Sequence, residues 1–249
     1  MVKDGKIALV EIFKSIDGEG FHSGQPTVFI RTFGCNLHCS FCDTSYSLNE
    51  EEYKKTYNKD LLWMTAEEIV NKCNELEKDF KYKSVCLTGG EPLIEENKDF
   101  MLNHLIPLLL DNKYAVNIET NGAVDYKPYK DKFGEPVILD PYGNRYGVSI
   151  IADYKLPYSK MNKLMKWENL SIYSEYDLIK MVISDDPEDW KELEKVCQSG
   201  TKAKLYLSPC FGEVTMSKIP EFVMNHPEYN ITAQLQIHKF FWDKDKIGV

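Results

Sequence analysis

This chain of 249 residues lacks any apolar stretch of membrane-spanning length, which excludes a helical integral membrane protein. Its first residues, Met-Val-Lys-Asp-Gly-Lys, hold no apolar run of the kind found in a secretory leader. Positive charge is short as well. Lys and Arg number 30 against 39 Asp and Glu, a formal net charge of −9. That balance argues against wholesale nucleic-acid binding, which shows a basic stripe; the lysines around Lys160 to Lys166 read as a solvated helix face or loop. Cysteine is sparse and odd in number, seven in all, which disfavours a disulfide framework. The expectation is a cytoplasmic chain with reduced thiols, a small-molecule partner, and no nucleic acid or membrane.

The most telling shortage is of a fourth clustered cysteine. Cys35, Cys39 and Cys42 lie in Gly34-Cys-Asn-Leu-His-Cys-Ser-Phe-Cys-Asp-Thr44, spaced Cys-x3-Cys-x2-Cys. A closed zinc site or an ordinary iron–sulfur cubane takes four protein ligands. Three thiolates from one loop point to a [4Fe–4S] cluster with one iron open to substrate or cofactor. His38 between them keeps a Cys3His zinc site open on ligand count.

What is there otherwise suits one large α/β domain over 1–249, with 43% hydrophobic and 28% charged residues. Ile7–Phe13 and Thr27–Phe33 read as strands, rich in β-branched and aromatic residues. Residues 46–63 are polar and read as an excursion from the core. A capping box at Thr65 and Glu68 starts a helix with Ile69, Val70, Cys73 and Leu76 on one face. Strands follow at Lys83–Thr88, Tyr114–Glu119, Val148–Asp153, Leu178–Ile183, Lys204–Ser208 and Ile231–Ile237. Helices are predicted over Asn97–Asp111, from the Asp186 cap to about Gln198, and after Ser217. A second excursion, rich in Pro, Gly and Tyr, covers about 123–147.

Strand–helix alternation implies parallel pairing, with functional groups at the strand C-terminal ends. The cysteine loop, Gly89-Gly90-Glu91-Pro92, Glu119-Thr120-Asn121-Gly122 and Asp153-Tyr154-Lys155 all fall there. Cys73, Cys86 and Cys197 read as packing residues.

The cysteine loop followed by Gly-Gly-Glu-Pro resembles the radical S-adenosylmethionine (SAM) superfamily, whose fold is a full or partial (β/α)6 barrel. Further motifs narrow this: Glu11-Ile-Phe-Lys-Ser-Ile-Asp-Gly-Glu-Gly20, Thr27-Val-Phe-Ile-Arg31, Asp43-Thr44, Ile118-Glu-Thr-Asn-Gly122 and Gln236-Ile-His-Lys-Phe-Phe-Trp-Asp243. Together they are similar to the 7-carboxy-7-deazaguanine synthase family. The resemblance implies a partial, modified (β/α)6 barrel and a lyase of queuosine and 7-deazapurine biosynthesis. It would convert 6-carboxy-5,6,7,8-tetrahydropterin to 7-carboxy-7-deazaguanine with loss of ammonia, starting from a 5′-deoxyadenosyl radical. The implied cofactors are a [4Fe–4S] cluster, SAM and Mg²⁺; the implied partners are a flavodoxin or ferredoxin as electron donor and a second copy in a homodimer. Two other readings stay open, an activase of a glycyl-radical enzyme and a zinc-stabilised module without catalysis.

By the same resemblance Cys35, Cys39 and Cys42 hold the cluster, and Thr44 ligates Mg²⁺. SAM falls to Phe41, Cys42, Asp43, Gly90, Asp153, Tyr154, Lys155, Ser208, Pro209, Cys210 and Phe211. The pterin falls to Ile16, Asp17, Gly18, Arg31, Thr88, His238 and the terminal Val249, with Glu119 as the catalytic carboxylate beside the reacting ring. An arginine suits a carboxylate through a two-pronged ion pair. Asp17 stands where many of the family have Gln, and an ionised Asp accepts hydrogen bonds without donating. Asp153-Tyr154 likewise replaces a common Ser-Pro. The apolar run Phe240-Phe241-Trp242 predicts a docked tail.

Overall fold

Apolar runs of five or six residues bounded by glycine and polar turns make the central strands, and amphipathic segments between them make the covering helices. The computed structural model describes residues 1–78, 82–134, 138–139, 145–243 and 246–248. Its strands are β1 (Val2–Lys3), β2 (Lys6–Ile16), β3 (Pro26–Thr32), β4 (Leu62–Met64), β5 (Ser84–Gly89) and β6 (Ala115–Thr120). They continue with β7 (Ile138–Leu139), β8 (Arg145–Asp153), β9 (Leu178–Ile183), β10 (Lys204–Pro209) and β11 (Ile231–Ala233). The helices are α1 (Glu50–Tyr57), α2 (Ala66–Glu77), α3 (Lys98–Phe100), α4 (Ile106–Asp111), α5 (Lys127–Phe133), α6 (Pro187–Cys197), α7 (Lys218–Asn225) and α8 (His238–Phe241).

All the strands join one twisted sheet in the order β1-β2-β3-β5-β6-β8-β9-β10-β11, with β4 on β2 and β7 on β8. From β3 to β11 every neighbour along this order is parallel, while β2 runs antiparallel to β3. Among the described residues β11 pairs only with β10, so the sheet is open, a partial barrel. Three bonds, two from a side chain and one from the backbone, bridge the opening. The Gln234 side-chain amide donates to Gly20 O at 3.2 Å and accepts from Gly20 N–H at 2.9 Å. Ile237 N–H donates to Gly18 O at 3.2 Å.

The outer face of the sheet packs Ile30, Leu87, Ile118, Ile150, Ile179, Met181 and Leu207 against the helices in one continuous core. The alternate, inward positions carry many polar side chains beside the apolar Phe29, Ile151 and Val182. Thr27, Ser84 and Asn117 form one linked set, and Arg31, Thr88, Glu119, Asp153 and Lys180 face a cavity. A barrel interior lined this way is built to hold a polar ligand.

Several sequence expectations need correction. Residues 46–63 are not a detached excursion: Asn49 caps α1 by accepting from Glu52 N–H, and Tyr53 is fully buried beside Ala8, Val10 and Phe33. β4 then pairs with β2. Abundant charge hid an aromatic set, Tyr46, Tyr53 and Tyr57, that does the packing. The helix predicted over 97–111 carries a π turn at Met101–Leu105 between α3 and α4; Pro107 has no N–H for a regular turn there. The last strand stops at Ala233; Gln234 N–H still donates to Leu207 O at 2.9 Å while its side chain bonds Gly20. Of the excursion at 123–147, α5 and β7 are seen, and 135–137 and 140–144 lie outside the described residues. No helix among the described residues is long and apolar enough to cross a membrane.

Candidate active site

One cavity of about 580 Å³ runs through the barrel, within the size range of small-molecule sites. The cysteine loop follows β3 directly. Gly34 N–H donates to Ser47 O and Glu91 N–H to Gly34 O, both at 2.8 Å, so backbone bonds fix the loop's start. Cys35, Cys39 and Cys42 all line the cavity as free, partly buried thiols. Leu37 N–H and the Asn121 side-chain amide approach the Cys35 sulfur at 3.4 and 3.7 Å.

This donor set fits a cluster gripped by three sulfurs. His38 is exposed and absent from the cavity wall, so it does not complete a Cys3His set. Among the described residues no three His, Cys, Asp or Glu side chains stand close enough to hold a single metal ion.

Glu91, from the Gly-Gly-Glu-Pro segment, organises the upper rim. Fully buried, it accepts from Leu93 N–H at 2.9 Å, Thr120 Oγ1 at 2.8 Å and Asn121 N–H at 2.7 Å. Burial pushes its carboxyl up to about 7, against those three donors. Asn121 passes the constraint on, donating to Asn36 Oδ1 at 2.7 Å beside Cys35. Gly90 permits the close approach: a Cβ there would lie 2.1 Å from Gly34 O. Phe41 lines the cavity and stacks on Tyr158, with the Lys155 ammonium 5.9 Å from its centroid.

Lower in the cavity, Arg31 is held by Glu11, whose Oε1 accepts from Nε at 3.0 Å. The rest of its guanidinium fork remains available to a ligand. Burial works against its charge, but Tyr46 and Glu11 outweigh it and raise its pKa. Thr88 Oγ1 donates to Glu119 Oε2 at 2.7 Å. His238 enters from α8, and its Nδ1 would lie 2.0 Å from any Cβ at position 18, so only glycine fits there. Burial lowers the pKa of His238, favouring the neutral ring.

Ile16, Gly18 and Glu19 reach the wall from below, because β2 ends beside the first residue of β3. The motifs therefore do not all share one rim; this segment closes the opposite end. Asp17 sits beneath the floor, 1% exposed, with Oδ1 accepting from Glu19 N–H at 3.2 Å and Oδ2 unpartnered. Burial, with Glu119 and Glu19 nearby, pushes its carboxyl up to about 8. A protonated Asp17 regains the donor that an ionised one lacks.

This has a pH signature. Folded Asp17 keeps its proton up to about pH 8, whereas in the unfolded chain it ionises near 3.9. Its contribution to stability is full below the lower value and is lost as pH rises through the upper one. Asp17→Asn cannot ionise, so its melting temperature should exceed that of the parent by several degrees at pH 8.5 and match it at pH 4.5. An equal difference at both values, measured by circular dichroism, would show Asp17 to be ionised in the folded chain.

Other assigned residues divide. Asp43, Thr44, Asp153, Lys155, Cys210 and Phe211 line the cavity, with Thr44 Oγ1 3.7 Å from the Cys42 sulfur. Tyr154 does not; its hydroxyl donates to Glu192 on α6 at 2.8 Å. Ser208 and Pro209 are also absent from the wall. Phe240 and Phe241 are 64% and 62% exposed, and the tail instead returns to the cavity through Lys246, Ile247 and Gly248. Val249 lies outside the described residues.

Sequence reasoning missed Lys180. Its ammonium donates to Glu19 Oε2 at 2.5 Å and stands 3.4 Å from Asp153 Oδ2, which Lys155 also meets at 2.7 Å. Burial opposes charge on Lys180, but Glu19, Asp153 and Glu119 raise its pKa well above the usual lysine value. Burial likewise opposes ionisation of Asp153, and Lys155 and Lys180 outweigh it, lowering its pKa. The signal was present. Lys180 is the one charge in Leu-Ile-Lys-Met-Val-Ile, a strand buried throughout.

Residues 29–150 match the family model for the Radical SAM superfamily. Over 243 residues the chain is 37% identical to the 7-carboxy-7-deazaguanine synthase of Clostridium acetobutylicum, covering 97% of this chain and 98% of that one. It is 34% identical over 238 residues to the enzyme of the same name from Methanospirillum hungatei JF-1, covering 93% and 84%. The crystal structure of QueE from Escherichia coli superposes with a TM-score of 0.64 at 19% identity, over 92% of this chain and 93% of that one. At that identity the superposition supports the fold.

Proposed function

The chain belongs to the 7-carboxy-7-deazaguanine synthase family of radical SAM enzymes, and from that premise we propose how its own residues serve the reaction. It is a radical SAM lyase of queuosine biosynthesis that forms 7-carboxy-7-deazaguanine, and the family carries a [4Fe–4S] cluster and SAM. We take the substrate to be 6-carboxy-5,6,7,8-tetrahydropterin. One observation supports this reading above the others: three cysteine thiols and the Arg31, Thr88, Glu119 and His238 constellation share a single cavity. An activase of a protein substrate has no use for a carboxylate-binding arginine buried within the barrel.

Cys35, Cys39 and Cys42 would hold the cluster, with Gly90, Phe41 and the Asp153–Lys155 segment beside SAM. Bound together, cluster and SAM supply radical-initiating one-electron chemistry. The chain does the rest. Arg31 binds the pterin carboxylate through the guanidinium edge that Glu11 leaves free. Thr88 orients Glu119 through Oε2, so that Oε1 can hold or move a proton at the reacting ring. Neutral His238 can accept or donate one hydrogen bond over Gly18. Ile16 and Gly18 offer backbone polar atoms to the flat pterin edge, with the buried Asp17 behind them. Thr44 is our candidate Mg²⁺ ligand, with substrate carboxylate and water supplying the remaining oxygens.

The reading extends to organisation. One sheet and one main core support a single domain over 1–249. Exposed Phe240 and Phe241 support a homodimer. A cytoplasmic setting and a flavodoxin or ferredoxin donor complete it.

The test is anaerobic turnover with reductant, SAM, Mg²⁺ and the carboxylated pterin, which should give the deazaguanine acid. A brown protein that cleaves SAM yet leaves this pterin untouched would overturn the substrate. Cys39→Ala should lose the cluster's absorbance and essentially all turnover. Zinc without iron or sulfide in oxygen-free protein would instead support the non-catalytic module.

A further inference from the structure

The surface beside the cysteine loop differs in charge from the rest of the molecule. Residues 154–167 hold four lysines and no carboxylate, in a chain with nine more acidic than basic residues. Lys155 turns inward to Asp153. Lys160 and Lys163 are exposed, and Lys166 is half-exposed, its nearest acid Glu168 at 3.9 Å. Between them Leu164 and Trp167 are 53% and 46% exposed. Exposed apolar side chains and lysines in one short segment make a surface suited to an acidic protein.

This segment is also bonded to the cysteine loop. Ser40, next to Cys39, donates its N–H to Ser159 O at 3.1 Å and its hydroxyl to Tyr158 O at 2.7 Å. His38 N–H contacts the Met161 sulfur at 3.4 Å. The flanking acids are Glu168, Glu213, which accepts from the Tyr158 hydroxyl, the buried Asp189, which accepts from Tyr158 N–H at 2.7 Å, and Glu192, which accepts from the Asn162 amide and is neutralised by Lys195 at 2.7 Å. No other stretch of the exterior combines lysines, exposed apolar side chains and direct bonds to the loop between Cys35 and Cys42, among the described residues.

We propose that Lys160, Lys163, Lys166, Leu164 and Trp167 form the docking surface for an acidic one-electron carrier protein. The proposal rests on the three-cysteine cluster reading and adds to it where the electron enters. One electron leaves the carrier, which is oxidised, and reduces the cluster from 2+ to 1+; no bond or proton moves in this step. The Ser40–Ser159 and Ser40–Tyr158 bonds give the carrier a short bonded route to the cluster ligands. Long-range attraction to the lysines steers the encounter and weakens with salt.

The experiment compares the parent with a Lys160→Glu, Lys163→Glu, Lys166→Glu triple variant, and with Leu164→Ser, Trp167→Ser. Reduced flavodoxin and dithionite serve as alternative reductants for the anaerobic holoenzyme. The charge variant should slow cluster reduction by flavodoxin at least tenfold at low salt, while reduction and turnover with dithionite stay unchanged. Calorimetric binding of flavodoxin to the cluster-free chain should weaken similarly and lose most of its salt dependence. The apolar variant should weaken binding but keep the salt dependence. Equal losses with both reductants would mean that the segment only supports the loop, and unchanged flavodoxin binding would place the carrier elsewhere; either overturns the proposal. Conversion of a dimer to a monomer by the charge variant would reassign the patch to self-association. Absence of any cluster in the parent defeats the cluster reading, and the binding measurement on cluster-free chain still judges the surface.

Discussion

Arg31→Ala is expected to lower kcat/KM for the carboxylated pterin by about 10²- to 10³-fold, while slow SAM cleavage in the absence of substrate survives. The magnitude follows from removing one partner of a desolvated charge pair, about 2–5 kcal/mol. The selectivity follows from geometry: Arg31 lies on β3 below the cysteine loop and contacts none of the hydrogen bonds that organise the cysteines. Arg31→Lys should recover little, since a lysine that pairs with Glu11 has no second prong for the ligand. Steady-state kinetics with product and 5′-deoxyadenosine measured separately decides the matter. Loss of both activities together would make Arg31 a structural residue.

Lys180→Met should cost more than activity. Removing the lysine leaves Glu19 buried without its counter-ion, and breaking such a pair costs about 3–5 kcal/mol. For a chain of this size that corresponds to a melting temperature lower by roughly 10 °C. Adding Glu19→Gln removes the stranded charge, so the double variant should recover at least half of the lost stability, a non-additivity expected of contacting groups. Thermal unfolding of the two single variants and the double one closes the cycle. Strictly additive losses would show that Lys180 acts through Asp153 rather than through Glu19.

Much of this site could be read in the residues because its chemistry is concentrated in short, unusual runs. Three cysteines within eight positions, a double glycine after a strand and a capping box each have few physical explanations. Parallel pairing from β3 onward followed from strand–helix alternation, whereas the antiparallel β2 did not. What stayed hidden was set by distant contacts. Glu91 looked like part of a turn, yet its three donors come from residues 93, 120 and 121. Lys180 declared itself only as a lone charge in an apolar strand, and its partners lie 161 and 27 positions earlier. Tyr53 was masked by the seven charged residues of a solvated helix face and its surroundings, since composition averages away a single buried ring. The aromatic run does not dock the tail: Phe240 and Phe241 face outward, and Lys246, Ile247 and Gly248 reach the cavity instead.

The bridge from Gln234 and Ile237 to Gly20 and Gly18 ties the two ends of the chain into one wall. The hydrogen bonds described for the cysteine loop come from residues 47, 91, 121, 158 and 159 and owe nothing to that bridge. The two ends of the cavity are thus secured separately, one by the middle of the chain and the other by its first and last segments.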